Sequence, residues 1–220
     1  KRPGQIYLNT SHGTPLKNMG YDMPNGARES RNVLRNFLMA DYLLSANPQM
    51  TETMYRKAYR LQGIYRGQIV EAGYPRIDHQ FSDQAELQRT RKSLERRGIV
   101  LRDQKVAVYA PTWRGASFHS ARAQVGMLRR FLTTMSNEPG LADTKVLLKV
   151  HQAVYNEAAR DAALDGVLVP NDIPTNRILA LCDVLVTDYS SIFFDYLALK
   201  RPIVFYAPDV DDYDDGRGLY

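Results

Sequence analysis

The sequence predicts an α/β fold made of two units, each alternating strand and helix around a parallel sheet. Three observations predict it. Short apolar runs alternate with helical patterns along the whole chain. The runs of the second half are nearly continuous in apolar residues, as strands are when helices cover both faces of their sheet. Polar residues capable of chemistry gather directly after the runs, where open parallel sheets bind their ligands.

In the first half, "QIYLN" (5–9), "YLLSA" (42–46) and "IVEAG" (69–73) read as buried strands, with helical patterns over 28–40 and 48–60 between them. The segment 83–97, "DQAELQRTRKSLERR", reads as a charged helix that opens at Asp83, with Glu86 three residues on in a capping-box arrangement, and stops at Gly98. This places a boundary between a first domain, 1–97, and a second, 98–220. The second domain repeats the grammar with "VAVYA" (106–110), "KVLLKV" (145–150), "VLVP" (167–170), "VLVT" (184–187) and "PIVFYA" (202–207) as strands. Helices are expected over 123–137, 154–164, 175–181 and 190–199.

Composition sets the class. The chain has 220 residues, 44% hydrophobic and 24% charged, the balance of a globular protein with one large or two small domains. Its single cysteine, Cys182, lies inside an apolar run with no disulfide partner, which points to a reducing, cytoplasmic compartment. No apolar run approaches the roughly 18 residues of a membrane span. The chain opens on Lys1-Arg2-Pro3 with no initiator methionine, so a fragment of something longer is expected. A net charge of +5 and a pI near 9.3 imply attraction to anions: nucleic acid, phosphorylated substrates or an anionic membrane face.

Five strand ends carry the candidate site. Thr10-Ser11-His12-Gly13-Thr14 follows "QIYLN", Tyr74-Pro75-Arg76-Ile77-Asp78 follows "IVEAG", and Pro111-Thr112-Trp113-Arg114 follows "VAVYA". His151 follows "KVLLKV", and Asp188-Tyr189-Ser190-Ser191 follows "VLVT". The last turn delivers two serines to a helix start, whose free N–H groups attract phosphate; plain capping by Asp188 or Ser190, worth about 1 kcal/mol, is the alternative. Paired histidines at matching places in the two halves are suited to accepting a hydroxyl proton or holding a phosphate. Arg76 and Arg114 offer guanidinium forks and Lys149 an ammonium for phosphate oxygens, or else are solvated surface charges. The basic stretch Arg89, Arg91, Lys92, Arg96, Arg97 reads as a solvated helix face, with anionic lipid head groups as the second reading. Asp211, Asp212, Asp214 and Asp215 have no recognisable metal-ligand spacing.

"NTSHGTPLKNMG", "EAGYPRID", "YAPTWR", "LLKVH" and "DVLVTDYSSIFFDYLALKRPIVFY" occur in that order across residues 5 to 220. Together they resemble the CDP-glycerol glycerophosphotransferases of teichoic acid and capsular polymer synthesis. The resemblance implies a GT-B-like fold: two Rossmann-like domains with parallel sheets facing a cleft, the first on the acceptor side and the second binding the CDP-polyol. It implies transfer of a polyol phosphate, glycerol phosphate first, from CDP-glycerol or CDP-ribitol to a hydroxyl of a membrane-linked polymer, with release of CMP. His12 matches the family's proposed general base and His151 its second essential histidine. Thr14, Lys17, Arg76, Thr112, Arg114, Lys149, Thr187, Asp188, Ser190 and Ser191 are the implied substrate contacts. The chain departs from the family at Ser11 and Gln152, where tryptophan and proline are usual. No cofactor or protein metal site is implied; magnesium is compatible with a diphosphate, but no residue pattern calls for it. A lipid-linked acceptor implies peripheral attachment at the cytoplasmic face of the membrane. The alternatives are another GT-B enzyme, a glycosyltransferase or sugar-nucleotide epimerase, and, from a different class, a nucleic-acid-binding module. Scattered basic residues and the lack of an aromatic RNA-binding strand weigh against the last.

Overall fold

Both sheets expected from the alternation are present and both are wholly parallel. They are seen in a computed structural model that describes residues 2–114, 118–211 and 218–220. Packing divides the chain into residues 1–75 with 211–220, and residues 76–210.

The first unit holds β1 (Leu8–Asn9), α1 (Gly26–Glu29), α2 (Arg31–Met39), β2 (Tyr42–Ser45), α3 (Pro48–Met50) and β3 (Gln68–Glu71), with the sheet ordered β1-β2-β3. β1 is shorter than "QIYLN" because Tyr7 gives its N–H to the Asp41 carboxylate at 2.7 Å instead of to a ladder, and Ile6 is left 77% exposed. Phe37 of α2 meets Tyr55 and Tyr59 edge to face, with ring centroids 5.3 and 4.9 Å apart. The helix expected over 48–60 continues past α3 as a π-helix, Thr51–Ala58, in which the Tyr59 N–H reaches back five residues to the Met54 carbonyl. Its carbonyl end lies against Gly20, at φ +57°, where an added Cβ would stand 2.3 Å from the Ala58 oxygen; only glycine fits. The chain returns at its end to this unit. Asn18 donates to the Gly218 carbonyl at 3.0 Å, and the Tyr220 hydroxyl donates to Asp22 at 3.0 Å.

The second unit runs from α4 (Pro75–Asp78), inside which the division falls, through α5 (Gln84–Glu95), β4 (Lys105–Ala110), α6 (Phe118–Ser136), β5 (Thr144–Leu148) and α7 (Gln152–Ala158). It continues with α8 (Thr175–Leu181), β6 (Val184–Thr187), α9 (Ile192–Tyr196) and β7 (Ile203–Phe205). The sheet order is β5-β4-β6-β7. Val106 and Val108 of β4 join a core with Leu94, Ile178 and Leu181, while Tyr109 enters another with Leu128, Phe131 and Val154. The sheet is thus buried on both faces, as its continuous apolar strands require.

Two expectations are corrected. The "VLVP" segment makes only an isolated bridge, Leu148 to Leu168, because Pro170 has no N–H with which to extend a ladder. The packing boundary falls at 75/76, not at 97/98. The α5 helix is capped by Asp83 as expected, its carboxylate accepting the Glu86 N–H at 2.7 Å, but Leu94 is fully buried in the second unit's core and Gln80 donates to Asn176 at 2.6 Å. A break in the charge pattern marked the end of a helix, not the end of a packing unit.

Candidate active site

In the first unit, the loop after β1 is held on both flanks of His12. Asn9 accepts the Ser11 N–H at 2.9 Å, and the Tyr74 hydroxyl reaches the Ser11 carbonyl at 2.9 Å. On the far side the buried Thr14 hydroxyl accepts from the Asn47 side-chain amide at 2.8 Å, while the Asn47 oxygen caps α3. His12 itself has φ 60°, a left-handed conformation that costs a residue with a Cβ on the order of 1 kcal/mol or more. Its Nδ1 lies 3.0 Å from the Gly13 carbonyl. A carbonyl oxygen only accepts, so the ring proton sits on Nδ1 and the lone pair of Nε2 is left on an exposed imidazole. Thr14 and Lys17 follow on the same loop. The Thr14 hydroxyl braces the loop, and Lys17 forms a backbone bridge with Leu219.

In the second unit the strand order reverses between β4 and β6, and a ligand crevice forms beyond the carboxyl ends at such a point. Thr112, Arg114, Thr187 and Asp188 come together there. Asp188 is buried; one carboxylate oxygen accepts the Thr112 N–H at 2.8 Å and the other lies 2.7 Å from the Arg114 guanidinium. Thr187 donates to the Ala110 carbonyl at 2.7 Å and so ties the two strand ends rather than facing a ligand. Arg114 also grips Asp209, at 2.5 and 3.0 Å, and sits over the Tyr189 ring at 5.4 Å. Burial works against its charge, but the Asp209 and Asp188 carboxylates outweigh that and hold its pKa above the ordinary value. Asp209 is pulled below the usual carboxylate range by the same guanidinium. The Thr112 hydroxyl is buried with no partner among the described residues, a polar group such a crevice leaves for a ligand.

Ser190 and Ser191 stand at the start of α9. Ser190 accepts the Ile192 N–H at 3.4 Å, and Ser191, at the cap position, makes no side-chain capping bond. His151 caps α7, its Nδ1 accepting the Ala153 N–H at 3.2 Å, so here the ring proton is on Nε2. The Trp113 ring lies nearly parallel to the His151 ring, at 6.3 Å and 24°.

Two expected phosphate cations are engaged by the protein itself, Arg76 at the surface and Lys149 in the interior. Arg76 closes a two-point fork on Asp195 of α9, at 2.8 and 3.1 Å. The Lys149 ammonium donates to the Pro170 and Ile173 carbonyls, each at 3.1 Å, and burial lowers its pKa to about 8, partly opposed by Asp172. Both are scaffold contacts of the strand ends. The sequence reading missed Asp209 and Gln124, whose amide bridges the Arg114 N–H at 3.2 Å and the Thr112 carbonyl at 2.7 Å. Asp209 was within reach of the same rule, since it closely follows the "PIVFYA" strand; Gln124, inside α6, gave no signal. Among the described residues no group of three or more His, Cys, Asp or Glu is placed to hold a metal, and Asp212, Asp214 and Asp215 lie outside those residues. No described helix is long and apolar enough to cross a membrane.

Parallel sheets with their polar groups gathered at the carboxyl ends define an α/β protein of the GT-B-like kind. Within that class the chain belongs to the CDP-Glycerol:Poly(glycerophosphate) glycerophosphotransferase family, whose model matches residues 1–220. It is 36% identical to a teichoic acid poly(glycerol phosphate) polymerase of Staphylococcus epidermidis, with 100% of this chain and 31% of that protein covered. It is also 36% identical to one of Bacillus spizizenii, over 97% of this chain and 55% of that protein. The solved structure of the wall teichoic acid polymerase TagF superposes with a TM-score of 0.79 at 35% identity, covering all of this chain and 54% of that one. The chain therefore spans about a third to a half of the length of these relatives.

Proposed function

We propose that this chain carries the transfer centre of an enzyme that moves glycerol phosphate from CDP-glycerol onto a hydroxyl of a lipid-linked polymer in teichoic acid or capsule synthesis. The acceptor oxygen attacks the glycerol-bearing phosphorus, forming a new P–O bond. The bond from that phosphorus to the bridging oxygen breaks, and CMP leaves with its electron pair. His12 Nε2 takes the hydroxyl proton. Such a reaction asks the protein mainly to position its reactants and to stabilise charge on phosphate oxygens.

The observation that carries this reading is the His12 Nδ1–H bond to Gly13, which makes Nε2 a proton acceptor on a loop braced by Tyr74 and Asn47. We assign donor binding to the second unit. The Nε2–H of His151 and the hydroxyls of Thr112, Ser190 and Ser191 donate to the diphosphate, while the Asp188–Arg114–Asp209 cluster fixes the loops that present them. Acceptor chemistry belongs to the first unit. Glycerol is favoured over ribitol because both relatives named above are poly(glycerol phosphate) polymerases. A lipid-linked acceptor and a CDP-activated donor meet at the cytoplasmic face of the membrane, where the enzyme would be peripheral.

The test is to incubate the full-length parent with CDP-glycerol and a lipid-linked acceptor and to identify the nucleotide released. CMP is expected. Release of CDP, as from a glycosyltransferase acting on a nucleotide sugar, or no nucleotide with either CDP-polyol, would overturn the reading.

A further inference from the structure

A groove of about 690 Å³ runs along α5 and the start of α8 in the second unit, remote in sequence from the strand-end loops. Arg89 and Lys92 of α5 and Arg96, which caps its end, stand along one stripe, three and four residues apart, and Arg177 faces them from α8. At 1.5 Å per residue the α5 stripe is about 10 Å long. Arg177 lies 3.6 Å from Glu86, but its Nε is buried with no hydrogen-bond partner. Arg89, Lys92 and Arg96 form no ion pair among the described residues, although Glu95 and Asp172 also line the groove and Asp172 is taken by Arg97. The cations near the end of α5 are also favoured by its unpaired carbonyls. Thr90 and Ser93 add hydroxyls to the wall. Ile173, which lines the groove, also gives its carbonyl to Lys149, two residues before His151.

A row of cations without carboxylate partners along a concave wall matches a flexible chain carrying one negative charge per short repeat. A flat bilayer surface would reach the rim of such a groove more readily than its inside, and the amphipathic apolar face that buries into a membrane is not what lines it. We infer that this groove binds the anionic phosphodiester backbone of the poly(glycerol phosphate) chain, outside the reacting centre. The inference rests on the proposed function for the identity of the polymer but on the groove for the binding. Nothing in it depends on His12 or on the diphosphate contacts. Its role would be to hold the polymer between additions, which favours adding further units to a chain already bound.

The experiment uses the full-length parent with Arg89→Gln, Lys92→Gln and Arg96→Gln combined, and delipidated poly(glycerol phosphate) oligomers as the probe, with binding measured over a range of salt. Affinity is expected to fall roughly 100-fold, each cation near an anionic array being worth about a factor of five, and its salt dependence to become shallower. CMP release with a single-unit acceptor should be unchanged, and the melting temperature reports whether the variant folds. A second variant, Arg177→Gln alone, guards against a collective folding defect and should weaken oligomer binding by a smaller factor. Unchanged oligomer affinity in a folded triple variant would overturn the inference. So would a loss confined to phosphatidylglycerol vesicles, or one seen with single-stranded DNA and absent with the oligomers. If the wild type binds oligomers through these residues yet releases no CMP, the groove stands and the transfer reading falls; CMP release with groove-independent binding is the reverse.

Discussion

His12 and His151 each follow a strand of a parallel sheet, and each uses Nδ1 for a bond to nearby backbone, but the bonds run in opposite directions. In the first unit Nδ1–H donates to the Gly13 carbonyl; in the second Nδ1 accepts from the Ala153 N–H. The first ring therefore offers a lone pair at Nε2, the second a proton. The contrast survives a change of charge differently as well. Uptake of a proton at Nε2 leaves the His12 bond intact, whereas a proton on Nδ1 of His151 would remove the cap of α7. Identical side chains at matching strand ends are thus made into an acceptor and a donor by one backbone group each, which is how local hydrogen bonding assigns the tautomer of an imidazole. The same contrast separates the braces. His12 is held by side chains from distant parts of its unit, Tyr74 and Asn47, while His151 is held by the first turn of its own helix.

The largest effect should come from removing the acceptor. His12→Asn in the full-length parent keeps a residue that tolerates the left-handed backbone, and turnover is expected to fall by about 10²- to 10⁴-fold, the usual contribution of a general base, with the KM for donor unchanged. Steady-state kinetics check this; unchanged turnover would end the acceptor role and with it the contrast. Replacing the donor should do less. Asparagine can still cap a helix, so His151→Asn should keep the melting temperature and raise the donor KM by about tenfold, the loss of one bond to a charged group. His151→Ala should lower the melting temperature too, and if His151→Asn leaves the donor KM unchanged, His151 acts only as a cap.

The smallest effect concerns the buried ammonium of Lys149, two residues before His151. Lys149 is held at about 8 in the fold against 10.5 in the open chain, so between those values the unfolded chain binds the additional proton and stability rises with pH across that window. Below it the burial cost is felt in full. Melting curves of wild type and Lys149→Met from pH 7 to pH 10 should show that slope in the wild type and its loss in the variant.

The strand ends were legible because each lies beside an apolar run, and chemistry beyond the carboxyl ends of parallel strands follows from the fold class alone. His12, His151, Thr112 and Asp188 were nominated that way. The partners of the cations were not. Arg76 meets Asp195 and Arg114 meets Asp209 across long stretches of chain, and a local reading sees a free guanidinium where the fold supplies a carboxylate. The acceptors of Lys149 were hidden for the same reason: Pro170 ends and Ile173 follows "VLVP", a segment read as a strand that makes only an isolated bridge. The π-helical turn before Tyr59 has no sequence signature at all, since its apolar spacing is also that of a regular helix.

Leaving the His12 ring open to water has a kinetic corollary. A base that has taken up a proton is useless until it gives it away, and enzymes with deeply enclosed bases need a chain of internal groups to export it. An imidazolium at the surface discharges directly into buffer between cycles. On the mechanism proposed, regeneration of this enzyme would then be governed by the medium rather than by any relay through its interior.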